Sequence, residues 1–259
     1  MSTLMKITSK DNGNIKEILS LQKSSKYRRE QGVFILEGVR LCEDALDNSF
    51  MPVKVFFSTS ATEKYTELLD KFLNGNAVYE ISDSLFNKIS DTVSPQGVLC
   101  IFKIPELSND NINGKGKYIV LENIQDPSNL GAISRTAEAF GISGLILSGC
   151  CDPYSSKSLR ASMGALLRIP LFFTDDMFNL FKMHGLKSFA SVVTSDAVSI
   201  SDINFGKGCA VIIGNEGNGI SPETKEKSEL LFTIPMSGKA ESLNAAVAAS
   251  IIIWEMCKC

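Results

Sequence analysis

The feature that most constrains the fold is a series of apolar, β-rich runs in the C-terminal half, which alternate with helical stretches. The runs read KYIVLENI, GISGLILSG, LKSFASVV, GCAVIIG and LLFTIP. They are almost continuously apolar, as expected for strands that are covered on both faces. Because alternating β and α segments are typical of a mainly parallel sheet, we predict an α/β fold for this half.

The N-terminal half shows a second α/β pattern. We expect helices near 12–26, 38–48 and 61–74, strands at GVFIL, VKVFFST, AVYEIS and GVLCIFKI, and a helix between the last two strands. The stretch 105–117 is polar apart from Leu107 and Ile112 and lacks periodicity. The sequence therefore predicts two domains, 1–104 and 118–259, joined by this linker.

Composition excludes several classes of protein. Of the 259 residues, 44% are hydrophobic and 21% charged, so the chain can build cores and does not have a disordered composition. The longest near-apolar run, Ala245 to Trp254, is shorter than the roughly 18–20 residues that span a bilayer. The start, MSTLMKITSK, lacks the apolar core of a secretory signal. With seven cysteines and no C-x-x-C spacing, we expect a cytoplasmic protein without a membrane anchor.

The single histidine limits the chemistry further. Ser-His-Asp schemes and multi-histidine metal sites would all need His184, which directly precedes Gly185 as if at a helix C-terminus. Cys257 and Cys259 flank one lysine at the end of the chain, which is poor spacing for metal ligands. We therefore expect chemistry that uses neither a metal nor an imidazole.

Charge is unevenly distributed, although the net charge is −3. The first 29 residues carry seven cations against two acids, a local balance of 7 − 2 = +5: Lys6, Lys10, Lys16, Lys23, Lys26, Arg28 and Arg29 against Asp11 and Glu17. The cluster is either a solvated helix face or a phosphate-binding strip.

Three Gly- and Asn-rich junctions follow predicted strands of the C-terminal half, where parallel sheets place their ligands. The first leaves a strand at Glu122 and enters a helix that ends at Gly141, with a predicted buried stripe of Ile133, Ala137 and Phe140. Arg135 lies off that stripe. It is therefore either a solvent-facing arginine or an anion-binding one.

The second and third junctions are GNEGNG, at 214–219, and the loop from Ile234 to a long apolar helix. The glycines of GNEGNG allow a close backbone approach to a ligand, but their spacing matches neither the dinucleotide fingerprint nor the P-loop. In the third junction, Ser242 or a neighbour is expected to cap the helix. Ser242 and Asn244 can also turn their side chains towards a pocket there.

Together these segments closely resemble the SpoU (TrmH-type) family of RNA ribose 2′-O-methyltransferases, within the knotted SPOUT superfamily. DPSNLGAISRTAEAFG, VIIGNEGNGIS and IPMSGKAESLNAAVAA resemble the three motifs of the family in order, and KSLRASMGALLRIPL resembles the stretch that follows its second strand. The N-terminal part resembles a small substrate-binding domain related to ribosomal protein L30e. The resemblance thus covers nearly the whole chain.

The resemblance implies a C-terminal domain tied in a deep trefoil knot, an exception to the rule that chains are unknotted. It implies S-adenosylmethionine as methyl donor, a homodimer whose active site combines residues of both subunits, and structured RNA as partner. The implied donor-site residues are Thr194, Gly214, Glu216, Gly217, Ile234, Pro235, Met236, Ser242, Leu243 and Asn244.

The implied catalytic residues are Asn129, Arg135, Glu216, Ser242 and Asn244. In the family, the arginine that matches Arg135 is proposed to be the general base. A guanidinium, however, is effectively always protonated. We therefore expect Arg135 to bind a phosphate and stabilise developing alkoxide charge instead. The resemblance favours the interpretation of the basic cluster as a phosphate-binding strip. The residues expected to contact RNA are Lys16, Lys23, Lys26, Arg28, Arg29, Arg40 and Arg160.

The N-terminal domain favours ribosomal over transfer RNA by analogy with the family. Two alternatives stay open on the sequence alone. One is a noncatalytic RNA-binding protein that acts in ribosome assembly on a methyltransferase scaffold. The other is an α/β enzyme that acts on a small molecule through the same glycine turns.

Overall fold

The computed structural model describes residues 4–73, 75–106, 108–194 and 196–258. The chain divides into two compact units. The first comprises the chain up to Glu106 together with Tyr154–Arg160, and the second comprises the remainder.

Over the part of the chain that the structure describes, the first unit contains five strands and six complete helices, together with all but the last residue of a further helix at 156–161. The strands and complete helices are β1 Met5–Ile7, α1 Gly13–Lys23, α2 Ser25–Gln31, β2 Val33–Glu37, α3 Val39–Asp47, β3 Pro52–Ser58, α4 Thr59–Lys64, α5 Thr66–Leu73, β4 Ala77–Ile81, α6 Asp83–Ile89 and β5 Val98–Lys103. The strands form a mixed sheet in the order β1-β4-β3-β5-β2. In this sheet β5 runs antiparallel to both β2 and β3. Apolar side chains of α1, including Ile15, Ile18 and Leu21, pack with α6 on one face of the sheet.

Two helices of this unit differ from the sequence prediction. The helix expected near 12–26 is interrupted at Ser24, which closes α1 and caps α2 by accepting a hydrogen bond from Tyr27 N at 3.1 Å. The helix expected near 61–74 is two helices that meet at Tyr65, which ends α4. The short strand β1 was not predicted.

The second unit contains the following elements: β6 Lys117–Glu122, α7 Pro127–Ala139, β7 Gly144–Ser148, α8 Ser156–Ala161, which begins in the first unit, β8 Leu171–Phe173, α9 Met177–His184, β9 Lys187–Ser191, β10 Val198–Ser199, β11 Cys209–Ile213, α10 Pro222–Lys227, β12 Leu230–Thr233 and α11 Ala245–Cys257. Its sheet has the order β10-β12-β9-β11-β6-β7-β8. All of its described pairings are parallel. The prediction of a mainly parallel sheet is confirmed.

The centre of this sheet is buried on both faces, which explains the unbroken apolar runs of β6, β7 and β11. Side chains of Tyr118, Val120 and Ile212 pack with those of α9 on one face. On the other face lies α7, against which α11 packs. The strands β8 and β10 escaped prediction because they have only three and two residues.

The helix α7 ends as predicted, with Gly141 in the left-handed region at φ 68°. Ile133 and Ala137 are fully buried, but Phe140 is 41% exposed, so its assignment to the buried stripe was wrong. Phe140 occupies the C-cap, past the last packed turn, and its ring meets Trp254 edge-on at 5.7 Å. His184 ends α9 before Gly185, also as predicted.

The stretch 105–117 contains a 3₁₀ helix, Asn109–Asn111, and its residues 108–117 belong to the second unit. Ile112 is buried in the core of that unit, and Asn113 N donates to the Tyr118 hydroxyl at 2.7 Å. Within the described residues, no helix is both long and apolar enough to cross a membrane.

Candidate functional site

A cavity of about 350 Å³ opens in the second unit at the carboxyl ends of β9 and β11. Most of its lining comes from three segments that are distant in sequence: the end of β9 and the residues that follow it (191–194), the loop after β11 (213–220), and the approach to α11 with its first turn (241–248), to which α10 adds Lys225. The lining residues are Ser191, Val192, Val193, Thr194, Ile213, Gly214, Asn215, Glu216, Gly217, Asn218, Gly219, Ile220, Lys225, Glu241, Ser242, Leu243, Ala245 and Ala248. The ends of adjacent parallel strands are where such folds bind ligands.

The loop after β11 requires glycine at its first position. A Cβ on Gly214 would lie 2.2 Å from the carbonyl carbon of Gly219, because the loop folds back on itself there. Asn215 and Gly219 exchange both backbone hydrogen bonds, at 3.0 and 2.9 Å. The result is a tight backbone hairpin that forms one wall of the cavity.

Three predicted catalytic side chains form a hydrogen-bonded row. Asn129 Nδ2 donates to Glu216 Oε1 at 2.6 Å, and Asn244 Nδ2 donates to Asn129 Oδ1 at 3.1 Å. Asn244 Oδ1 in turn accepts from Ala246 N and Val247 N at the start of α11. The row joins α7, the loop after β11 and α11, whose members are separated by 87 and 115 positions in sequence.

Helix capping places two of these residues. Asp126 caps α7 by accepting from Ser128 N at 2.8 Å, and Asn129 follows one turn later in a buried position. The cap of α11 is Asn244, a neighbour of Ser242, and Asn244 therefore both ends the loop and orients Asn129. Ser242 lies exposed on the cavity wall.

Arg135 lies exposed on α7, less than two turns beyond Asn129. Within the described part of the chain it forms no ion pair or hydrogen bond, so its guanidinium is available to a ligand. By contrast, Arg168 in the same unit is paired with Glu138 at 3.0 Å. An exposed, unpaired guanidinium beside a polar row is suited to anion binding.

Six predicted donor-site residues line the cavity: Thr194, Gly214, Glu216, Gly217, Ser242 and Leu243. Four do not: Ile234, Pro235 and Met236, which follow β12, and Asn244, whose side chain is in the hydrogen-bonded row. Sequence reasoning missed Asn215, Lys225 and Glu241, which also line the cavity. Asn215 stands inside the motif GNEGNG, which could have indicated it.

Cys150 lies near this site but is not a nucleophile. Burial raises the pKa of its thiol to about 11, and the negative charge of Glu216 adds to the shift. With this pKa the group is a protonated thiol at neutral pH. Because only the thiolate attacks, the side chain is a poor nucleophile.

Most of the cations predicted to contact RNA are exposed, as a phosphate-binding strip requires. Lys16, Lys23, Lys26, Arg29 and Arg40 are of this kind. Arg160 is half-buried, with Nη1 4.0 Å from Asp91 Oδ2.

Arg28 is a correction to the predicted strip. It is 5% exposed, and its Nη1 donates to the carbonyl of Leu21 and, at 3.3 Å, to that of Gln22. It thus ties α2 to the end of α1, and we exclude it from the strip.

A second surface of this unit is apolar. A shallow depression on α7 and α11 is lined by Ala132, Ala246, Val247, Ser250, Ile251 and Trp254. Val247 and Trp254 are 49% and 53% exposed, with Phe140 beside them. Exposed aromatic and aliphatic side chains grouped in this way are typical of a protein interface.

A hydrogen-bonded row of Asn and Glu at a glycine-walled cavity on a parallel sheet, with an exposed Arg on the same helix as the Asn, agrees with the site that the sequence resemblance implies for an RNA methyltransferase of the SPOUT type. Residues 116–254 match the model of the SpoU rRNA Methylase family, and residues 12–100 match the MRM3-like substrate binding domain. The chain belongs to the SpoU rRNA Methylase family. The predicted family, enzyme class and methyl donor, S-adenosylmethionine, are confirmed.

Individual relatives cover almost the whole chain. The chain is 28% identical to the 23S rRNA (guanosine(2553)-2′-O)-methyltransferase RlmP of Bacillus subtilis, over 98% of this chain and 99% of that protein. It is 32% identical to an uncharacterized tRNA/rRNA methyltransferase of Synechocystis, over 98% and 94%. The crystal structure of an AdoMet-bound rRNA methyltransferase from Sinorhizobium meliloti matches with a TM-score of 0.88 and 30% identity, over 98% and 97%.

Proposed function

We propose that this protein transfers a methyl group from S-adenosylmethionine to a ribose 2′-hydroxyl of ribosomal RNA. The observation that carries the proposal is the row Asn244–Asn129–Glu216 beside the cavity, with the unpaired Arg135 on the same helix as Asn129. The named specificity of RlmP for a guanosine 2′-O position in 23S rRNA supports the acceptor.

The cavity suits the methyl donor. Its volume of about 350 Å³ lies within the range of roughly 300–1,000 Å³ found for small-molecule sites. Backbone groups of the hairpin can bind the adenosine part, and Glu216 and Glu241 place negative charge where a cationic donor would lie. Residues Ile234, Pro235 and Met236 complete the proposed site from the loop after β12.

When bound, S-adenosylmethionine supplies a methyl group already activated by its positive sulfur. The protein must therefore position the hydroxyl and manage its proton. Arg135 stays protonated, binds the adjacent phosphate and stabilises negative charge on the 2′ oxygen.

Asn129 orients the acceptor because its own amide orientation is fixed. Glu216 accepts one N–H, and Asn244 donates to the carbonyl oxygen, so one N–H and one lone pair remain. Ser242 adds a hydroxyl at the cavity wall. These two residues hold the ribose hydroxyl.

We further propose the trefoil knot, an L30e-like fold for the first unit, and a homodimer in the cytoplasm. The strand order β12-β9-β11-β6 and the packing of α11 on α7 support the knot. The match to a substrate-binding domain and the exposed cations of that region support RNA capture by the first unit. The apolar depression on α7 and α11 supports a dimer in which the partner subunit completes the RNA site.

The noncatalytic alternative is disfavoured, since Asn129, Arg135, Glu216, Ser242 and Asn244 are all present. An enzyme acting on a small molecule would have no use for an RNA-binding first unit.

The test is transfer of a tritiated methyl group from S-adenosylmethionine to RNA from a strain that lacks this protein. Ribosomal and transfer RNA fractions are assayed separately, with Arg135→Ala as control. Label in ribosomal RNA that is lost with Arg135→Ala is the expected result. Label only in transfer RNA would overturn the proposed acceptor. Absence of both label and donor binding would return the noncatalytic function to first place.

A further inference from the structure

Asn215 forms hydrogen bonds through both ends of its side-chain amide and through its backbone. Its Oδ1 accepts from Gly217 N at 2.9 Å and Asn218 N at 3.2 Å, and its backbone pairs with Gly219. Its Nδ2 leaves the loop and donates to the carbonyl of Asn123 at 2.8 Å. The acceptor side of the amide thus shapes the hairpin, while the donor side attaches it to another segment.

That other segment is the connection from β6 to α7, and α7 is the helix that carries Asn129. The backbone of Asn123 is held in place, since its N–H donates to Ser148 O at 2.8 Å and its φ is 58°, a left-handed conformation that asparagine tolerates. Gln125 Nε2 reaches the same carbonyl at 3.3 Å and that of Gly149 at 2.8 Å. The anchor for Asn215 is therefore rigid.

Two hydrogen bonds consequently cross between these segments, one residue apart on the loop. Asn215 bonds to Asn123, and Glu216 bonds to Asn129. Two further hydrogen bonds lie just past the other end of the loop, where the buried Glu122 accepts from Ser221 N at 3.1 Å and from Thr224 Oγ1 at 3.0 Å. Glu122 and Asn123, at the end of β6 and just after it, therefore bind the loop on both sides of Glu216.

We propose that Asn215 is a positioning residue of the methyl transfer: its amide fixes the loop on Asn123 and thereby holds Glu216 against Asn129. This inference rests on the proposed function. Asparagine is required because the position must accept two N–H groups and donate to a carbonyl. Aspartate, which has the same shape, would set a carboxylate oxygen against the carbonyl oxygen of Asn123.

The experiment compares Asn215→Asp with the wild type in the full chain, by calorimetry with S-adenosylhomocysteine and by single-turnover methylation of ribosomal RNA. We expect the Kd for S-adenosylhomocysteine to rise about tenfold, because the loop must be ordered on binding. The single-turnover rate should fall about 10²-fold, as expected for a displacement of about 1 Å in a positioning group. In a Glu216→Ala background the same substitution should change the rate by less than about threefold, since coupled residues are not additive.

The matched control is Asn204→Asp. Asn204 Oδ1 accepts from Gly206 N at 3.1 Å in a similar turn outside the cavity, so this variant should leave both the Kd and the rate unchanged. If Asn215→Asp lowers the thermal midpoint, Asn215→Ser replaces it, because serine keeps an acceptor for the turn.

An unchanged Kd, or an equal loss of rate with and without Glu216, would overturn the role of Asn215. A wild type that neither binds S-adenosylhomocysteine nor methylates RNA would instead overturn the proposed function.

Discussion

At the scale of single residues, Asn129 is the centre of the site because both ends of its amide are fixed. A carboxylate can only accept, so Glu216 determines which end of Asn129 carries the nitrogen, and Asn244 confirms that orientation from the other side. Arg135 differs in kind. It forms no ion pair or hydrogen bond with the residues that the structure describes, so its charge and its five N–H donors are available for the proposed contact with RNA.

Replacing Arg135 with lysine tests this difference. Lysine keeps the charge but loses the planar fork, so we expect kcat to fall about 10²–10³-fold while the affinity for S-adenosylhomocysteine stays near that of the wild type. Steady-state kinetics and calorimetry measure the two quantities. Arg168→Lys, at the ion pair with Glu138, is the control and should keep full activity. Full activity of Arg135→Lys would contradict the proposed role of Arg135 in phosphate binding and charge stabilisation.

At the scale of elements, two neighbouring arginines of α2 have opposite environments. Arg28 is buried against the carbonyls that end α1, whereas Arg29 is exposed. The sequence could not separate them, because both stand in the same basic run.

The two arginines should therefore respond differently to alanine. Arg28→Ala should lower the free energy of unfolding by about 1–3 kcal/mol, since it leaves buried carbonyls unsatisfied. Arg29→Ala should leave stability unchanged, weaken binding to ribosomal RNA and reduce the slope of log K against log[salt] by about 1. Chemical denaturation and RNA titrations at several salt concentrations check both. Equal loss of stability in the two variants would refute the distinction.

The central strands of the second unit's sheet could be predicted, because a strand that is buried on both faces needs an unbroken run of apolar residues, as in KYIVLENI and GCAVIIG. The breaks at Ser24 and Tyr65 were missed, since no glycine or proline marks them. The candidate catalytic residues were predicted from the resemblance to a family. Their hydrogen-bonded order was not, because contacts across 87 and 115 positions depend on the folded sheet.

At the scale of the whole molecule, the apolar depression on α7 and α11 lies on the helices that carry Arg135 and the cap Asn244. A partner subunit packed there would lie next to α7, which carries the candidate residues Asn129 and Arg135. Assembly and activity should therefore be linked.

Trp254→Asp should convert the proposed homodimer to a monomer, because it would bury a carboxylate in the proposed apolar interface. Since the side chain is 53% exposed in one subunit, the subunit itself should stay folded. Sedimentation velocity measures the change. Met183→Asp, at an apolar side chain that is 66% exposed on α9, is the control and should remain dimeric. A wild type that sediments as a monomer would contradict the proposed dimer.

The proposed acceptor of the methyl group is a ribose hydroxyl. The most direct measurement is alkaline hydrolysis of ribosomal RNA methylated by this protein with labelled S-adenosylmethionine, because alkali cleaves RNA through the free 2′-hydroxyl. We expect the label in alkali-resistant dinucleotides, whose linkage a 2′-O-methyl group protects. Label recovered in single nucleotides would place the methyl group on a base and would overturn ribose methylation.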